Sequence, residues 1–183
     1  MQYCSTCGSN KLEFKIPEGD HLPRYVCADC QSIHYQNPKM VVGCLIENQH
    51  GEIMLCRRGI EPRKGYWNLP CGYMENKETI EQGALREVLE ETGAEVELGS
   101  LYVVYSLPHA NQVYLIFYAQ MPNHASWHLT YESTEIAFFA LSKIPWNDIA
   151  FSSNTFALRH HLNQVKMGLS EKQLSVGSKS YES

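Results

Sequence analysis

The chain has 183 residues and a formal net charge of −5, with 44% hydrophobic and 19% charged residues. A chain of this length and composition can bury a core without disulfide bonds, which excludes an intrinsically disordered protein. The acidic balance argues against a dedicated nucleic-acid binder, although a few local cations can still bind one nucleotide.

The sequence begins Met1-Gln2-Tyr3-Cys4, which is neither basic nor followed by an apolar run, and this predicts no signal peptide. No stretch approaches the ~20 apolar residues that cross a bilayer, so we expect no membrane partner. The seven cysteines are odd in number and their spacing indicates metal binding rather than disulfides. We therefore expect a protein of the reducing cytoplasm.

Composition divides the chain into three segments. Residues 1–37 hold four of the seven cysteines, many turn residues and little apolar sequence, and we expect them to form a small separate unit. Residues 38–167 are long enough for one catalytic domain. Residues 168–183 are rich in Ser, Lys and Glu and are expected to be a flexible tail.

The elements of the central segment begin with two strands. Residues 40–46 are an apolar run typical of a strand buried on both faces, and 52–57 return as its neighbour. The clearest helix follows, with Asn76 predicted as its N-cap and Gly93 as its C-terminal glycine. Its apolar stripe has helical spacing and consists of Ile80, Ala84, Leu85, Val88 and Leu89.

Further strands are predicted at 95–107, 112–121 and 135–141, and a second helix at 153–166. This order of strands and helices predicts an α/β fold in which helices cover a mixed sheet.

Three glutamates of the first helix, Glu87, Glu90 and Glu91, stand at i, i+3 and i+4. Their Cβ atoms are expected ~5–6 Å apart on one face, where like charges destabilise a helix by about 0.2–0.5 kcal/mol per pair. Mg²⁺ would compensate, because it takes oxygen ligands and binds through a few carboxylates plus substrate phosphates. Arg86, one turn before Glu90, can hold that side chain in place. Bound metal would neutralise a diphosphate and activate water for its hydrolysis.

Taken alone, three glutamates on a helix are more often a solvated acidic face. The full spacing argues against that reading, because seven fixed identities would match by chance on the order of once in 10⁸ to 10⁹ starting positions. Gly72, in the loop before the helix, lets the backbone approach a ligand or metal closely. The pattern reads Gly72-x5-Glu78-x7-Arg86-Glu87-Val88-Leu89-Glu90-Glu91-Thr92-Gly93-Ala94.

This segment resembles the Nudix box of Nudix hydrolases at every fixed position. The resemblance implies a Nudix α/β/α sandwich, dependence on Mg²⁺ or Mn²⁺, and hydrolysis of a nucleoside diphosphate linked to another moiety. It continues more loosely over about 39–151, whereas Cys71 departs from the family, in which glycine or alanine is commoner there. A homodimer is also expected by family likeness.

The resemblance implies a role for each matching position. The metal ligands would be the carboxylates and the carbonyl of Glu87, Glu90, Glu91 and Gly72. Arg86 would orient these glutamates, and Glu78 would support that network.

Four cysteines form two pairs with zinc-ribbon spacing, Cys4-x2-Cys7 and Cys27-x2-Cys30. Free or redox-active thiols are the alternative, but they would leave residues 1–37 with almost no core. Four thiolates fill a tetrahedral Zn²⁺ site, so the zinc is expected to be structural. His21 and His34 are then expected to be surface residues.

A zinc ribbon before a Nudix domain resembles the arrangement in NADH pyrophosphatases and in a related group acting on FAD and ADP-ribose. The NADH-type tract Ser-Gln-Pro-Trp-Pro-Phe-Pro is replaced here by the run from Ser106 to Tyr114. Its Pro-His-x-x-Gln-Val-Tyr pattern is closer to the FAD and ADP-ribose group.

Other candidate residues surround the box. Four cations lie near the loop that enters it, Arg57, Arg58, Arg63 and Lys64; they bind substrate phosphates or form a solvated patch, and Arg57 or Arg58 is the better candidate. The resemblance suggests that Glu132 or Glu135 is a base or metal ligand, with loop solvation as the alternative.

Aromatic and sulfur-containing residues complete the candidates. Four rings could stack on adenine or flavin, although each is more often packing: Tyr66, Trp67, Tyr105 and His109. Cys44 and Cys56 are expected to be inert buried thiols.

We therefore expect Mg²⁺-dependent hydrolysis of the pyrophosphate bond of a dinucleotide such as FAD, ADP-ribose or NADH. One alternative enzyme would act on nucleoside triphosphates or capped RNA. A zinc-ribbon adaptor that binds nucleic acid or protein is the alternative from another class, which the intact glutamates and the net charge argue against.

Overall fold

The computed structural model describes residues 1–180 and separates into two compact units, Met1–Asn37 and a main unit that begins at Pro38. The first unit is a three-stranded antiparallel sheet in the order β1-β2-β3. Its strands are β1 (Leu12–Lys15), β2 (Arg24–Cys27) and β3 (Ile33–His34). Within residues 1–180, no helix is both long and apolar enough to span a membrane.

The main unit is built on an eight-stranded sheet. Six strands follow the order β10-β5-β4-β9-β8-β11, with β6 paired to β5 and β7 paired to β4. The strands are β4 (Lys39–Glu47), β5 (Glu52–Arg58), β6 (Trp67–Asn68), β7 (Cys71–Tyr73), β8 (Glu97–Leu107), β9 (Gln112–Gln120), β10 (Ser133–Ala140) and β11 (Ser175–Ser178). β4–β9 and β8–β11 are parallel pairs and β8–β9 is antiparallel, which confirms a mixed sheet.

Two helices cover the two faces of this sheet, α1 (Ile80–Thr92) and α2 (Ser152–Lys166). Alternate residues of β4 point into two separate hydrophobic clusters, so the strand is buried on both faces, as its apolar sequence predicts. Leu45 lies in the cluster that contains Leu158 of α2, whereas Cys44 lies in the cluster that contains Val88 of α1. The predicted α/β/α sandwich is confirmed.

The apolar stripe of α1 is narrower than expected. Ala84 and Val88 are fully buried, but Leu85 and Leu89 are 38% and 51% exposed. Glu87 and Glu91 are also buried, together with Gly83 and Thr92. The reason is that one flank of the helix faces a cavity rather than the sheet, so charged side chains replace apolar ones there.

Part of the expected flexible tail is a strand. Ser175–Ser178 forms β11, which pairs in parallel with Val103–Ser106 of β8 at the edge of the sheet. A polar composition does not prevent this, because an edge strand needs mainly backbone hydrogen bonds and its side chains remain largely solvated. Of the other residues of the expected tail, 181–183 lie outside the described residues.

A buried polar network joins α2 to the sheet. His161 is fully buried, its Nδ1 lies 3.1 Å from the Tyr102 hydroxyl, and its Nε2 lies 3.5 Å from Glu47 Oε1. Burial alone would raise the pKa of Glu47, but hydrogen bonds from His161 and Tyr118 and the charge of Lys172 lower it to about 2. The network holds the Glu47 carboxylate ionised inside the fold.

Candidate functional site

The glutamates of α1 face a cavity of about 680 Å³ in the main unit. We call it the glutamate cavity. Its walls come from β4, β7, α1, the loop after β5, the turn after β8 and the start of α2. A cavity of this size accommodates a ligand as large as a nucleotide derivative.

The capping of α1 fixes which side chains reach the cavity. Thr79, not Asn76, is the N-cap: its hydroxyl accepts from the Gln82 N–H, and the Gln82 side chain accepts from the Thr79 N–H. This reciprocal capping box satisfies two otherwise unpaired donors, which a cap at Asn76 would leave open. Gly93 ends the helix in the left-handed conformation (φ 65°), as predicted.

Glu87 and Glu91 are only 7% exposed, whereas Glu90 is exposed; all three line the cavity. Burial raises the pKa of Glu91 to about 8, and the negative charges of Glu87 and Glu132 contribute further. Burial also raises the pKa of Glu87, although Arg86 offsets part of this effect. Buried carboxylates whose pKa values are raised by burial and by neighbouring negative charges form a site suited to a cation.

Arg86 holds the acidic residues in place. Its Nε and Nη2 donate to both Glu78 oxygens (3.0 and 2.9 Å), and Nη1 donates to Glu87 (2.7 Å) and Glu90 (2.9 Å). Nη2 also donates to the Tyr73 carbonyl at 3.0 Å. The planar guanidinium is suited to such a fork of contacts, so one residue orients three carboxylates and the loop before the helix.

Gly72 lies directly against Glu87. A β-carbon at position 72 would overlap the Glu87 carboxylate, so the absence of a side chain lets that carboxylate reach the cavity wall. Gly83, on α1, similarly gives room to Glu78, whose Oε1 would lie 2.7 Å from an added β-carbon.

The structure separates the paired candidates around the box. Glu132 lines the cavity, whereas Glu135 is exposed and binds Arg57 at 2.8 Å. Arg58 also lines the cavity, with its guanidinium over the Phe151 ring at 5.1 Å. Arg57 instead lies over the Trp67 ring at 4.5 Å. Of each pair, the residue that reaches the cavity is the stronger candidate for a direct role.

The stacking candidates divide in the same way. Trp67 and Tyr105 are core residues, in ring contact with Phe139 (4.8 Å) and Phe156 (5.0 Å) respectively. His109 and Arg63 reach the cavity; Tyr66 and Lys64 are not among its lining residues.

Several cavity residues were missed from the sequence, namely Ile60, Tyr73, Phe151 and Lys179. They come from separate loops and strand ends that only the fold brings together, and no local pattern marks them.

A buried hydrogen bond between two amide side chains joins β6 to α2. Asn154 Nδ2 donates to Asn68 Oδ1, and both residues are almost completely buried. Asn68 Nδ2 in turn lies 3.7 Å from Cys71 Sγ, in the strand that leads to Gly72. The approach to the box is therefore fixed by hydrogen bonds within the core.

Cys44 and Cys56 are buried, and burial raises the pKa of both thiols, for Cys44 to about 12. The prediction that they are inert buried thiols agrees with this environment.

In the first unit, Cys4, Cys7, Cys27 and Cys30 place their sulfur atoms within 4.8 Å of one another. The Cys4–Cys30 and Cys7–Cys27 sulfur pairs are each 3.6 Å apart, close to the spacing of about 3.8 Å that four thiolates 2.3 Å from a tetrahedral zinc would have. Partial burial opposes ionisation of Cys4, but the backbone N–H groups of Cys7 and Thr6 and the side chain of His34 lower its pKa to about 5.

His21 is exposed, as expected, but His34 is not a simple surface residue. It is half-buried, with Nε2 3.3 Å from Cys4 Sγ and Nδ1 3.4 Å from Ser5 Oγ. The antiparallel pairing of β2 and β3 brings it to the cysteine cluster.

Comparison with protein families gives two matches. The family model of the NUDIX domain matches residues 37–157, and a second model, a zinc ribbon described as Nudix N-terminal, matches residues 2–36.

Among curated proteins, an ADP-ribose pyrophosphatase of Methanocaldococcus jannaschii is 40% identical over 74 residues, which are 40% of this chain and 43% of the relative. An NAD-capped RNA hydrolase, NudC, of Vibrio vulnificus is 29% identical over 100 residues, 52% of this chain and 34% of that protein. The chain thus spans less than half the length of either relative.

Among solved structures, a NUDIX hydrolase from Nitrosomonas europaea is 46% identical with a TM-score of 0.88, covering 98% of this chain and all of that one. An ADP-ribose pyrophosphatase from Streptococcus suis has a TM-score of 0.62 at 18% identity, covering 78% of this chain and 100% of its own, and shows the fold alone.

Proposed function

The chain belongs to the Nudix family, and from that premise we propose that it hydrolyses the pyrophosphate bond of a nucleoside diphosphate derivative. The observation that carries the proposal is the buried pair Glu87 and Glu91 on the cavity wall, whose pKa values are both raised. Two buried carboxylates cost free energy when they are ionised without a cation beside them. A catalytic metal ion would be that cation.

The residues present fit Mg²⁺ or Mn²⁺. The donors available are all oxygens, from Glu87, Glu90, Glu91 and the Gly72 carbonyl, and hard divalent cations prefer such ligands. Within residues 1–180, only the four cysteines form a group of three or more potential metal ligands whose ligand atoms all lie within 4.8 Å of one another. The glutamates are farther apart, so they do not form a closed cage. An open set agrees with Mg²⁺ chemistry, in which water and substrate phosphates complete the coordination. A bound cation would neutralise the diphosphate and lower the pKa of a coordinated water.

The remaining residues take supporting roles in this proposal. Arg86 and Glu78 position the glutamates through the hydrogen bonds described above. Glu132 accepts the proton of the attacking water, because it lines the same cavity and Glu135 does not. Arg58 binds a substrate phosphate from the wall formed by the loop after β5 and the start of α2.

For the substrate we propose a dinucleotide of the FAD, ADP-ribose or NADH type. The names of the two curated relatives support this class, since ADP-ribose and an NAD cap both contain a pyrophosphate between two ribose units. The NAD-capped RNA hydrolase also makes capped RNA the second candidate, and nucleoside triphosphates remain a third.

For the first unit we propose that Cys4, Cys7, Cys27 and Cys30 bind a structural Zn²⁺. The spacing of the sulfur atoms, which all lie within 4.8 Å of one another, supports it. Four thiolates leave no position for a catalytic water. None of the seven cysteines forms a disulfide, and the location we propose is the reducing cytoplasm.

The test is a hydrolysis panel of FAD, ADP-ribose, NADH, nucleoside triphosphates and NAD-capped RNA, each with Mg²⁺ or Mn²⁺ and with products identified by mass spectrometry. Glu91→Gln should lose most turnover, and Glu81→Gln is the matched control because Glu81 is an exposed glutamate of the same helix. Full activity of Glu91→Gln would contradict the mechanism. RNA binding without hydrolysis would instead favour the adaptor alternative.

A further inference from the structure

The last strand brings a lysine to the wall of the glutamate cavity. Lys179 directly follows β11, and its N–H donates to the Ser106 carbonyl of β8 at 3.1 Å. Its own carbonyl lies 3.2 Å from His109 Nδ1. Both Lys179 and His109 line the cavity, so the segment expected to be a flexible tail contributes directly to the site.

Packing fixes the path of this strand. A β-carbon on Gly177 would lie 2.6 Å from the Phe156 ring and 3.1 Å from Tyr105, so only glycine lets β11 lie this close to α2 and β8. Before the strand, Lys172 Nζ lies 3.3 Å from Glu47 Oε2, and the Gln173 carbonyl accepts from Gln164 Nε2 at 3.1 Å. Contacts on both sides of β11 therefore determine where Lys179 is placed.

Two of the charged residues that line the cavity come from opposite edges of the sheet. Glu132 lies just before β10, which is one edge strand, and Lys179 lies just after β11, which is the other. The acidic wall is suited to cations, whereas a positively charged residue such as Lys179 on another wall is suited to an anion. In a nucleotide derivative the anionic groups are phosphates.

We propose that Lys179 is a specificity-determining residue whose ammonium group binds a phosphate of the substrate in the glutamate cavity. This inference rests on the proposed function, because it takes the ligand to be a nucleotide. The phosphate has two sources, the scissile pyrophosphate itself or a further phosphate elsewhere on the substrate.

Binding to inert probes tests the proposal. We would titrate the full chain with Mg²⁺ and α,β-methylene-ADP, adenosine 3′,5′-bisphosphate or uncharged adenosine. Lys179→Ala should weaken the binding of at least one phosphorylated probe by about tenfold, which is the effect of one charge-assisted hydrogen bond. The binding of adenosine should not change. Loss for the methylene compound identifies the pyrophosphate as the source, and loss for the bisphosphate alone identifies a further phosphate.

Three variants serve as comparisons. Lys179→Arg should bind nearly as well as the unmodified chain, and Lys166→Ala, at an exposed lysine of α2, should bind equally well. Gly177→Val should displace β11 and weaken binding of the same probe. The double variant with Lys179→Ala should bind this probe no more weakly than Lys179→Ala alone. The proposal is overturned if Lys179→Ala matches Lys166→Ala for both phosphorylated probes, or if adenosine binding falls to the same extent.

The probes are not hydrolysed, so the outcome does not depend on turnover. A chain that binds them through Lys179 but hydrolyses nothing in the panel would retain this inference and lose the proposed function. With a hydrolysed substrate, Lys179→Ala should raise KM with kcat almost unchanged if the bound phosphate is remote from the scissile bond, and should lower kcat as well if it is the scissile pyrophosphate.

Discussion

The carboxylate of Glu87 occupies the space that a side chain at Gly72 would need. This contact joins the loop before α1 to the acidic face of the helix, so the position of a proposed metal ligand depends on a residue that has no side chain.

Gly72→Ala should therefore lower kcat/KM by displacing Glu87, on the order of 100-fold if the shift is about 1 Å. Glu87→Gln alone should also lower it. If the two changes act through one carboxylate, the double variant should be no worse than the more damaged single variant, and fully additive losses would contradict this explanation. Thermal unfolding of all three variants checks that the fold is retained.

Glu132 and Glu135 form a matched pair, three residues apart and identical in chemistry. Glu132→Gln should reduce kcat by about 10²–10⁴-fold, the usual contribution of a general base. Glu135→Gln should have little effect on kcat, because Glu135 is exposed and its partner is Arg57 rather than a residue of the cavity. Equal losses, measured with the substrate that the panel identifies, would argue against the assignment of Glu132.

The raised pKa of Glu91 predicts how stability without metal depends on pH. Its pKa is about 8 in the folded chain against an ordinary value of 4.5, so the folded chain binds more protons than the unfolded chain between these values. Stability in EDTA should therefore decrease as pH rises from about 4.5 to 8. Each kcal/mol lost should lower Tm by about 2–4 °C.

Glu91→Gln should flatten this decrease, because the amide resembles the protonated acid and does not titrate. Mg²⁺ should restore Tm at pH 8 and have less effect at pH 5, where protons compete for the carboxylate. Differential scanning fluorimetry across pH, with and without Mg²⁺, measures both effects. A Tm independent of pH in EDTA would count against a strongly raised pKa.

Removal of one cysteine ligand should release the zinc. Cys27→Ser should lower the metal content from about one zinc per chain to none, since structural sites of this kind need all four ligands. Amide hydrogen exchange should then increase in residues 1–37. The matched change Cys44→Ser, at a buried cysteine of β4, should leave the zinc content unchanged, and zinc retained in Cys27→Ser would exclude the four-thiolate site.

The sequence predicts most of what is local and periodic. Both helices and the strands from β4 to β10 that were expected are present with small differences at their ends, because apolar periodicity reports which face meets the core. The N-cap predicted at Asn76 is wrong, because Thr79 and Gln82 form a capping box that starts α1 three residues later. Leu85 and Leu89 have helical spacing yet are largely exposed, because spacing alone does not distinguish a cavity from a core.

What the sequence could not predict depends on distant segments meeting. Nothing local distinguishes Glu132 from Glu135, or Arg58 from Arg57; the difference appears when strand pairing decides which side chain faces the cavity. Lys179 is the extreme case, since its polar neighbourhood indicated a tail, whereas a parallel edge pairing with β8 places it at the site.

The glutamate cavity has two kinds of wall, and one of them is joined through Cys71 to the buried amide contact between Asn68 and Asn154. On one side, the strand entering the box is joined to α2 through the interior, so any rearrangement there must break a hydrogen bond that water cannot replace. On the other side, Ile60 and His109 lie on surface turns and do not belong to either hydrophobic cluster. Substitutions in these turns could therefore change which ligand binds, while the glutamates of α1 keep their geometry.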